Sequence, residues 1–305
     1  MSHKPLHYVE YFFMLVFQLI IRLLPLRVVV YGASYFAGFL TFFLKFRYDV
    51  AVKNLSSAFP EMSGSAKKNI IIQSYKNILI SSFESYKYMY ISADEKKKNL
   101  RIDADSDELL SAIKEKGKGC VVVGGHYGFF EAGGHYGVSR GLKCAYVVAN
   151  QKNKLTEKLI DIPRERSGLT VIHRKNMMKL FRSLKQNYFV ALLSDQNAGR
   201  KHGVFVEFFG KQASTHKNPA VISLKYNIPM IIVNTVRRKD DLTKHDLSFK
   251  KIPFDDIISE NTDFESKVIK LVQRYTRVLE DQIRTDPTHY WWIHKRFKTQ
   301  PKRSK

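Results

Sequence analysis

One stretch limits the fold more than any other: Val121-Val122-Val123-Gly124-Gly125-His126-Tyr127-Gly128-Phe129-Phe130-Glu131-Ala132-Gly133-Gly134. A β-branched run bounded by turn residues reads as a short buried strand. The glycines after it let the backbone turn sharply and leave room for close approach. The expected local structure is a strand, a tight loop and the start of a helix. A second segment repeats the theme, since Phe189-Val190-Ala191-Leu192-Leu193 leads into Ser194-Asp195-Gln196. In open α/β sheets, ligands collect beyond the carboxyl ends of the strands, which is where His126 and Asp195 are both expected.

Five positions separate His126 from Glu131, which in one continuous helix would put the side chains about 140° apart. With His126 in the loop and Glu131 one turn into the following helix, the carboxylate can reach back to the imidazole. That arrangement makes an oriented general base, the acid fixing the tautomer and stabilising the imidazolium. The helix start beside it is expected to offer backbone N–H groups to a developing oxyanion. His-Tyr-Gly recurs at His135-Tyr136-Gly137, but five residues beyond His135 stands Arg140, a cation that opposes protonation. His126 is therefore the better base. The plainer reading, two ordinary histidines and a solvated glutamate, competes on this motif alone.

A formal charge of +23, from 51 Lys and Arg against 28 Asp and Glu, calls for a polyanionic partner. Nucleic acid and an anionic membrane surface both qualify, but no nucleic-acid recognition motif is present. The two cysteines, Cys120 and Cys144, cannot form a metal cluster alone and suit a reducing compartment. No metal or nucleotide site is expected, because the glycine pairs lack the lysine and spacing of a phosphate loop.

The amino-terminal residues decide between membrane and solution. Tyr11 to Leu24 and Val28 to Leu44 are strongly apolar, broken by Pro25 and Arg27. Each is short for a simple span, which favours helices lying in or dipping into the bilayer, with one span or a buried core pair as alternatives. Residues 1–46 are assigned to this membrane-associated segment and 47–305 to a catalytic domain. Helices are expected over 65–90, 106–116, 177–185, 219–226 and 264–283, and strands over 145–149, 169–172 and 229–233. A polar helix is expected to end near Leu159. Residues 45–53 are read as a charge-rich segment closing the apolar stretch, 54–61 as a loop, 94–99 as a charged break, and 203–210 as an aromatic hairpin beside an acyl groove or a plain core strand. Both tryptophans stand in the cationic stretch 287–298, a composition that suits a phospholipid interface. A basic tail follows at 302–305.

Taken in order, several motifs resemble the bacterial lipid A late acyltransferases, relatives of glycerolipid acyltransferases. They are Asn54-Leu55 with Ala58-Phe59-Pro60, Gly125 through Glu131, Arg164-Glu165-Arg166 with Gly168, Asp195-Gln196, Gly203 through Gly210, and Trp292 through Lys298. The resemblance implies an α/β fold, a mixed central sheet flanked by helices. It implies transfer of a fatty acyl group from an acyl carrier protein thioester to a hydroxyl of a lipid A precursor, with no cofactor, at the cytoplasmic face of a bacterial inner membrane. His126 and Glu131 take the catalytic places, joined by Arg166 (or Arg164) and Asp195. Gly125, Gly128, Phe129, Phe130, Arg164, Gln196, Phe208, Phe209 and Gly210 take the substrate-binding places. Phe129 and Phe130 depart from the Asn and Trp common there, which bears on chain and acceptor preference. Another lipid acceptor would demand the same chemistry; a nonenzymatic basic protein and a membrane scaffold are the other classes.

Overall fold

The computed structural model describes residues 4–43 and 47–302. The end of the second apolar stretch, the start of the charged segment and the boundary set at 46 fall on residues 44–46, outside the described residues. The same holds for 303–305 of the basic tail.

Helices α1 (Pro5–Leu23) and α2 (Leu26–Phe43) are followed by α3 (Tyr48–Ala58), α4 (Gly64–Tyr88) and α5 (Ala93–Asn99). The chain then alternates: β1 (Leu100–Ile102), α6 (Ala104–Lys116), β2 (Cys120–Gly124), α7 (Ala132–Ser139), β3 (Cys144–Val148), α8 (Lys154–Arg166), β4 (Leu169–His173), α9 (Met177–Lys185) and β5 (Phe189–Leu193). A short α10 (Gly199–His202) precedes the hairpin β6 (Gly203–Phe208) and β7 (Lys211–His216). Then come α11 (Asn218–Tyr226), β8 (Met230–Arg237), β9 (His245–Lys251), α12 (Asp255–Ser259) and α13 (Phe264–Thr285).

Seven strands form one sheet in the order β1-β9-β8-β2-β5-β3-β4. Strands β8, β2, β5, β3 and β4 are mutually parallel, and β9 runs antiparallel to β8. The mixed α/β sheet expected from the resemblance is the observed one. Side chains of β2 alternate between two cores, as a strand's period of two requires. Val121 and Val123 face Leu180, Ala220 and Leu271, from α9, α11 and α13, while Cys120 and Val122 face Leu110, Ala132 and Tyr136, from α6 and α7. The chain leaves β2 towards β3 but leaves β5 towards β8, so the order reverses between these two neighbours. That is the crevice where doubly wound sheets bind ligands.

Helix α1 has a face of exposed apolar side chains, among them Leu6, Phe12, Phe13 and Leu19. With 19 residues it is long and apolar enough to cross a membrane by length and composition. Its inner side is tied to α8 at two levels, Asn153 at the start of α8 donating to His7 O and Glu10 Oε2, and Gln18 bonding further along. Pro163 has no N–H, so the Leu159 carbonyl four residues earlier lacks its helical donor, and the buried Gln18 side chain donates to it at 2.9 Å.

Several elements differ from the sequence reading. The segment read as charged and then as loop contains α3, whose Ala51, Asn54, Leu55 and Ala58 turn inward at helical spacing. The charged break is α5, started by the Ser92 side chain accepting from Glu95 N and by acids in the first turn. Helix α8 continues past Leu159 to Arg166, because Pro163 is accommodated by Gln18. Strands β1 and β9 were not anticipated.

A buried polar network ties α4 to the sheet. Glu84, fully buried, accepts from Arg237 at 2.7 Å and meets His245 Nε2 at 2.9 Å. Burial holds His245 below its ordinary value although Glu84 acts against it, and burial together with Lys96 and Arg164 holds His135 well below. Both rings are neutral in the native state. The unfolded chain therefore takes up protons that the folded one refuses as the pH drops below about 6.5. Stability conferred by these histidines is complete above that value and falls on acidification. Urea midpoints between pH 8 and pH 5 are expected to show the decline, and His135→Phe to lessen its slope.

Candidate active site

Strands β2 and β5 lie side by side with Gly124 opposite Leu193. The residues just beyond their ends meet. His126 Nδ1 is 2.8 Å from Asp195 Oδ1, and the His126 backbone N–H donates to Asp195 Oδ2 at 2.9 Å. One carboxylate thus fixes both the ring and the loop carrying it. Because Asp195 accepts at Nδ1, the hydrogen-bond network assigns the proton to Nδ1 and leaves Nε2 the unprotonated, basic nitrogen. Burial alone would raise the Asp195 pKa. The His126 ring, its N–H and the buried Arg296 outweigh that and hold the carboxyl below its ordinary value. Asp195 is a carboxylate throughout the neutral range.

The ring is enclosed by aromatics. Phe130 and Trp291 lie 5.2 and 5.0 Å from it, centroid to centroid. Gln196 brings its amide nitrogen to 3.4 Å from His126 Nε2. Gly125 backs onto the pair, since a Cβ there would meet Asp195 Cβ at 3.3 Å and Leu279 at 2.9 Å.

The carboxylate expected on His126 is elsewhere. Glu131 pairs with Arg164 at 2.6 Å, both largely buried, and among the described residues no hydrogen bond or ion pair joins Glu131 to His126. The local reason is that the chain makes a turn over 125–131 and enters α7 only at Ala132, with Glu131 as the residue before the helix. Its side chain reaches α8 instead. Burial would depress the Arg164 guanidinium, but Glu131, with Tyr146 and Asp161, outweighs this and holds it above its ordinary value. Glu131 Oε2 is buried with no protein partner.

Three N–H groups of the loop are committed to the fold. His126 N donates to Asp195, Tyr127 N to Gly125 O, and Gly128 N to His289 O. Gly128 has φ +55°, and a Cβ there would come within 2.2 Å of the Thr235 carbonyl. Gly128→Ala is expected to cost about 1–3 kcal/mol from backbone strain alone, plus displacement of His126. The check is the urea midpoint together with turnover, both of which should fall.

The carboxyl-terminal segment is where the structure most revises the sequence. Trp292 is 1 % exposed, packed on Phe59, Phe209 and Tyr290, with its indole N–H on the Pro287 carbonyl. It does not dock at a phospholipid interface. Trp291 N donates to His126 O, Asn54 donates to the carbonyls of Trp292 and His294, and Ser74 donates to Tyr290 O. His294 Nε2 accepts from Asn197 N, and burial keeps that ring below its ordinary pKa. Arg296, 2 % exposed, donates to Ser214 O and Thr215 Oγ1. These residues carried the resemblance without assigned roles; a dense run of aromatic and cationic residues was their only signal.

The remaining expected residues divide. Phe129 is buried beside Tyr88 and His245. Residues 203–210 do form a hairpin strand, with Phe209 and Gly210 at the turn, but Phe208 and Phe209 are buried among Tyr290 and Trp292 rather than facing His126. Arg166 is exposed at the end of α8. Cys120 and Cys144 are free and buried, the latter's thiol pushed up to about 12 by burial, so neither is a nucleophile.

The chain matches the bacterial lipid A biosynthesis acyltransferase model over residues 1–299. It belongs to that family. Among curated relatives, it is 25 % identical over 260 residues to the lipid A biosynthesis palmitoleoyltransferase of Escherichia coli K12, covering 85 % of this chain and 81 % of the relative. The lipid A biosynthesis acyltransferase of Haemophilus influenzae is 25 % identical over 264 residues, 84 % and 78 % of the two chains. The E. coli lauroyltransferase is 22 % identical over 264 residues, 85 % and 81 %. Family membership makes acyl transfer in lipid A synthesis the relevant chemistry. A histidine held by a carboxylate suits activation of a hydroxyl.

Proposed function

We propose that the protein is an O-acyltransferase that moves a fatty acyl chain from an acyl carrier protein thioester to a hydroxyl of a lipid A precursor, at the cytoplasmic face of the inner membrane. The observation carrying this reading is the His126 ring, its Nδ1 on Asp195 and its Nε2 near the Gln196 amide, at the switch point between β2 and β5. In this mechanism the acceptor hydroxyl gives its proton to Nε2 as its oxygen attacks the thioester carbonyl. Asp195 stabilises the imidazolium that forms. The Gln196 amide, 3.4 Å from Nε2, is the donor nearest the developing oxyanion. Collapse of the tetrahedral intermediate breaks the carbon–sulfur bond, and the imidazolium returns its proton to the departing thiolate. No acyl-enzyme forms.

Glu131 enters as the partner of Arg164. Their ion pair fixes the start of α7 against α8 and places Phe130 over the imidazole. The exposed apolar face of α1 and the net charge of +23 support residence at an anionic membrane surface. The experiment is to incubate the purified full chain with an acyl carrier protein thioester and a lipid A precursor, and to weigh the lipid. A mass gain of one acyl group is expected. No gain with any acyl length, alongside a gain on a different lipid, would transfer the chemistry to that other acceptor.

A further inference from the structure

Outside the His126 site, a groove of about 420 Å³ runs between α1 and α8. Its walls are apolar, with Leu15 and Leu19 on one side and Leu159 and Ile162 on the other. Its polar end is cationic. Arg22, in the last turn of α1, stands 5.7 Å from the centre of the Tyr90 ring, and Arg166, the last residue of α8, acts electrostatically on the same tyrosine. Lys158 completes the lining. Among the described residues none of these three cations has a carboxylate within 4.0 Å, whereas Arg164, also on α8, is paired with Glu131. Arg22, Lys158 and Arg166 line the same groove, and like charges lining one groove repel each other unless an anion lies among them. Guanidinium pairs match phosphate oxygens in geometry as well as charge.

The groove is a built feature. The Gln18 bond to the carbonyl freed by Pro163 locks its floor, and Lys87 Nζ donates to Arg22 O at 3.0 Å, fixing the end of α1. One side is a helix whose outer face is apolar, so the opening lies where hydrocarbon chains would be. Two residues before Arg166 on α8, Arg164 holds Glu131 at the start of α7, which connects the cationic end to the catalytic loop.

We infer that this groove holds the lipid acceptor by its phosphate, with Arg22 and Arg166 on the phosphate oxygens and an acyl chain lying along α1. The inference rests on the proposed acyl transfer and names how the acceptor of that site is selected. It gives the charge of Arg166 a role in binding.

The test uses full-chain His126→Ala protein in neutral detergent micelles, so that binding is read without turnover, and compares a bisphosphorylated lipid A precursor with the same lipid after phosphatase treatment. The phosphorylated lipid is expected to bind at least about tenfold more tightly. Arg22→Gln and Arg166→Gln, each in that background and with an unchanged melting temperature, should erase most of the difference, and Lys225→Gln, away from the groove, should keep it. Equal binding of the two lipids overturns the inference, as does a preference that survives both substitutions. Equal competition by phosphatidylglycerol at the same mole fraction also overturns it, since the groove would then hold any anionic lipid. Turnover of the unsubstituted protein on the same precursor is measured separately, so a failed acyl transfer is told apart from a failed groove.

Discussion

His126→Ala is expected to lower turnover by about 10²–10⁴-fold, the usual contribution of a positioned general base. The change removes the group facing the acceptor hydroxyl while leaving its scaffold intact, because the loop is held mainly through backbone groups: His126 N on Asp195, Gly128 N on His289 O and Trp291 N on His126 O. The melting temperature should therefore move little. Michaelis constants for both substrates should also stay near their original values, as expected when a loss falls on the transition state rather than on binding. Undiminished turnover in a folded His126→Ala protein would remove the proposed base.

Asp195→Asn is expected to cost nearly as much, about 10²–10⁴-fold, by a different route. An amide in place of the carboxylate can present its N–H to Nδ1, which drives the proton to Nε2 and leaves the ring unable to accept there. The Asn also cannot stabilise the imidazolium. Glu131→Gln makes the contrast, since it takes the anion from Arg164 and leaves His126 with Asp195. The expected result is a fall in stability from a buried guanidinium left with only the more distant Asp161, with activity lost through misplacement of Phe130. The two variants separate in their pH–rate profiles. Glu131→Gln should keep the acid-side limb, where activity falls as the general base is protonated, and Asp195→Asn should shift or abolish it. A profile altered only by Glu131→Gln would make Glu131 the orienting acid after all.

The sequence was most legible where a residue's neighbours in the chain are also its neighbours in space. The strand, loop and helix around His126 follow from valine and glycine placement, and alternate residues of β2 do face two different cores. The meeting of His126 and Asp195 was also legible, because parallel strands deliver their carboxyl ends to one edge. The choice of carboxylate was not. Glu131 is close in sequence, and spacing cannot tell that α7 begins only at Ala132 or that Arg164, far along the chain, competes for the acid. Tryptophans near cations were read as an interface signature, yet Trp292 is core, since composition does not distinguish a membrane surface from an aromatic cluster. Strand β9 shows the limit at its plainest. Its buried His245, Leu247 and Phe249 alternate properly, but flanking charge hides them.

The bonds from Gly128 N to the His289 carbonyl and from Trp291 N to the His126 carbonyl set an order of events in the life of the chain. A ribosome that has finished the sheet has not yet supplied the strap that seats the histidine, so the nascent polypeptide stays inert until its last stretch emerges. Termination before residue 287 removes the partners of both bonds, and such a shortened protein is expected to leave His126 unseated.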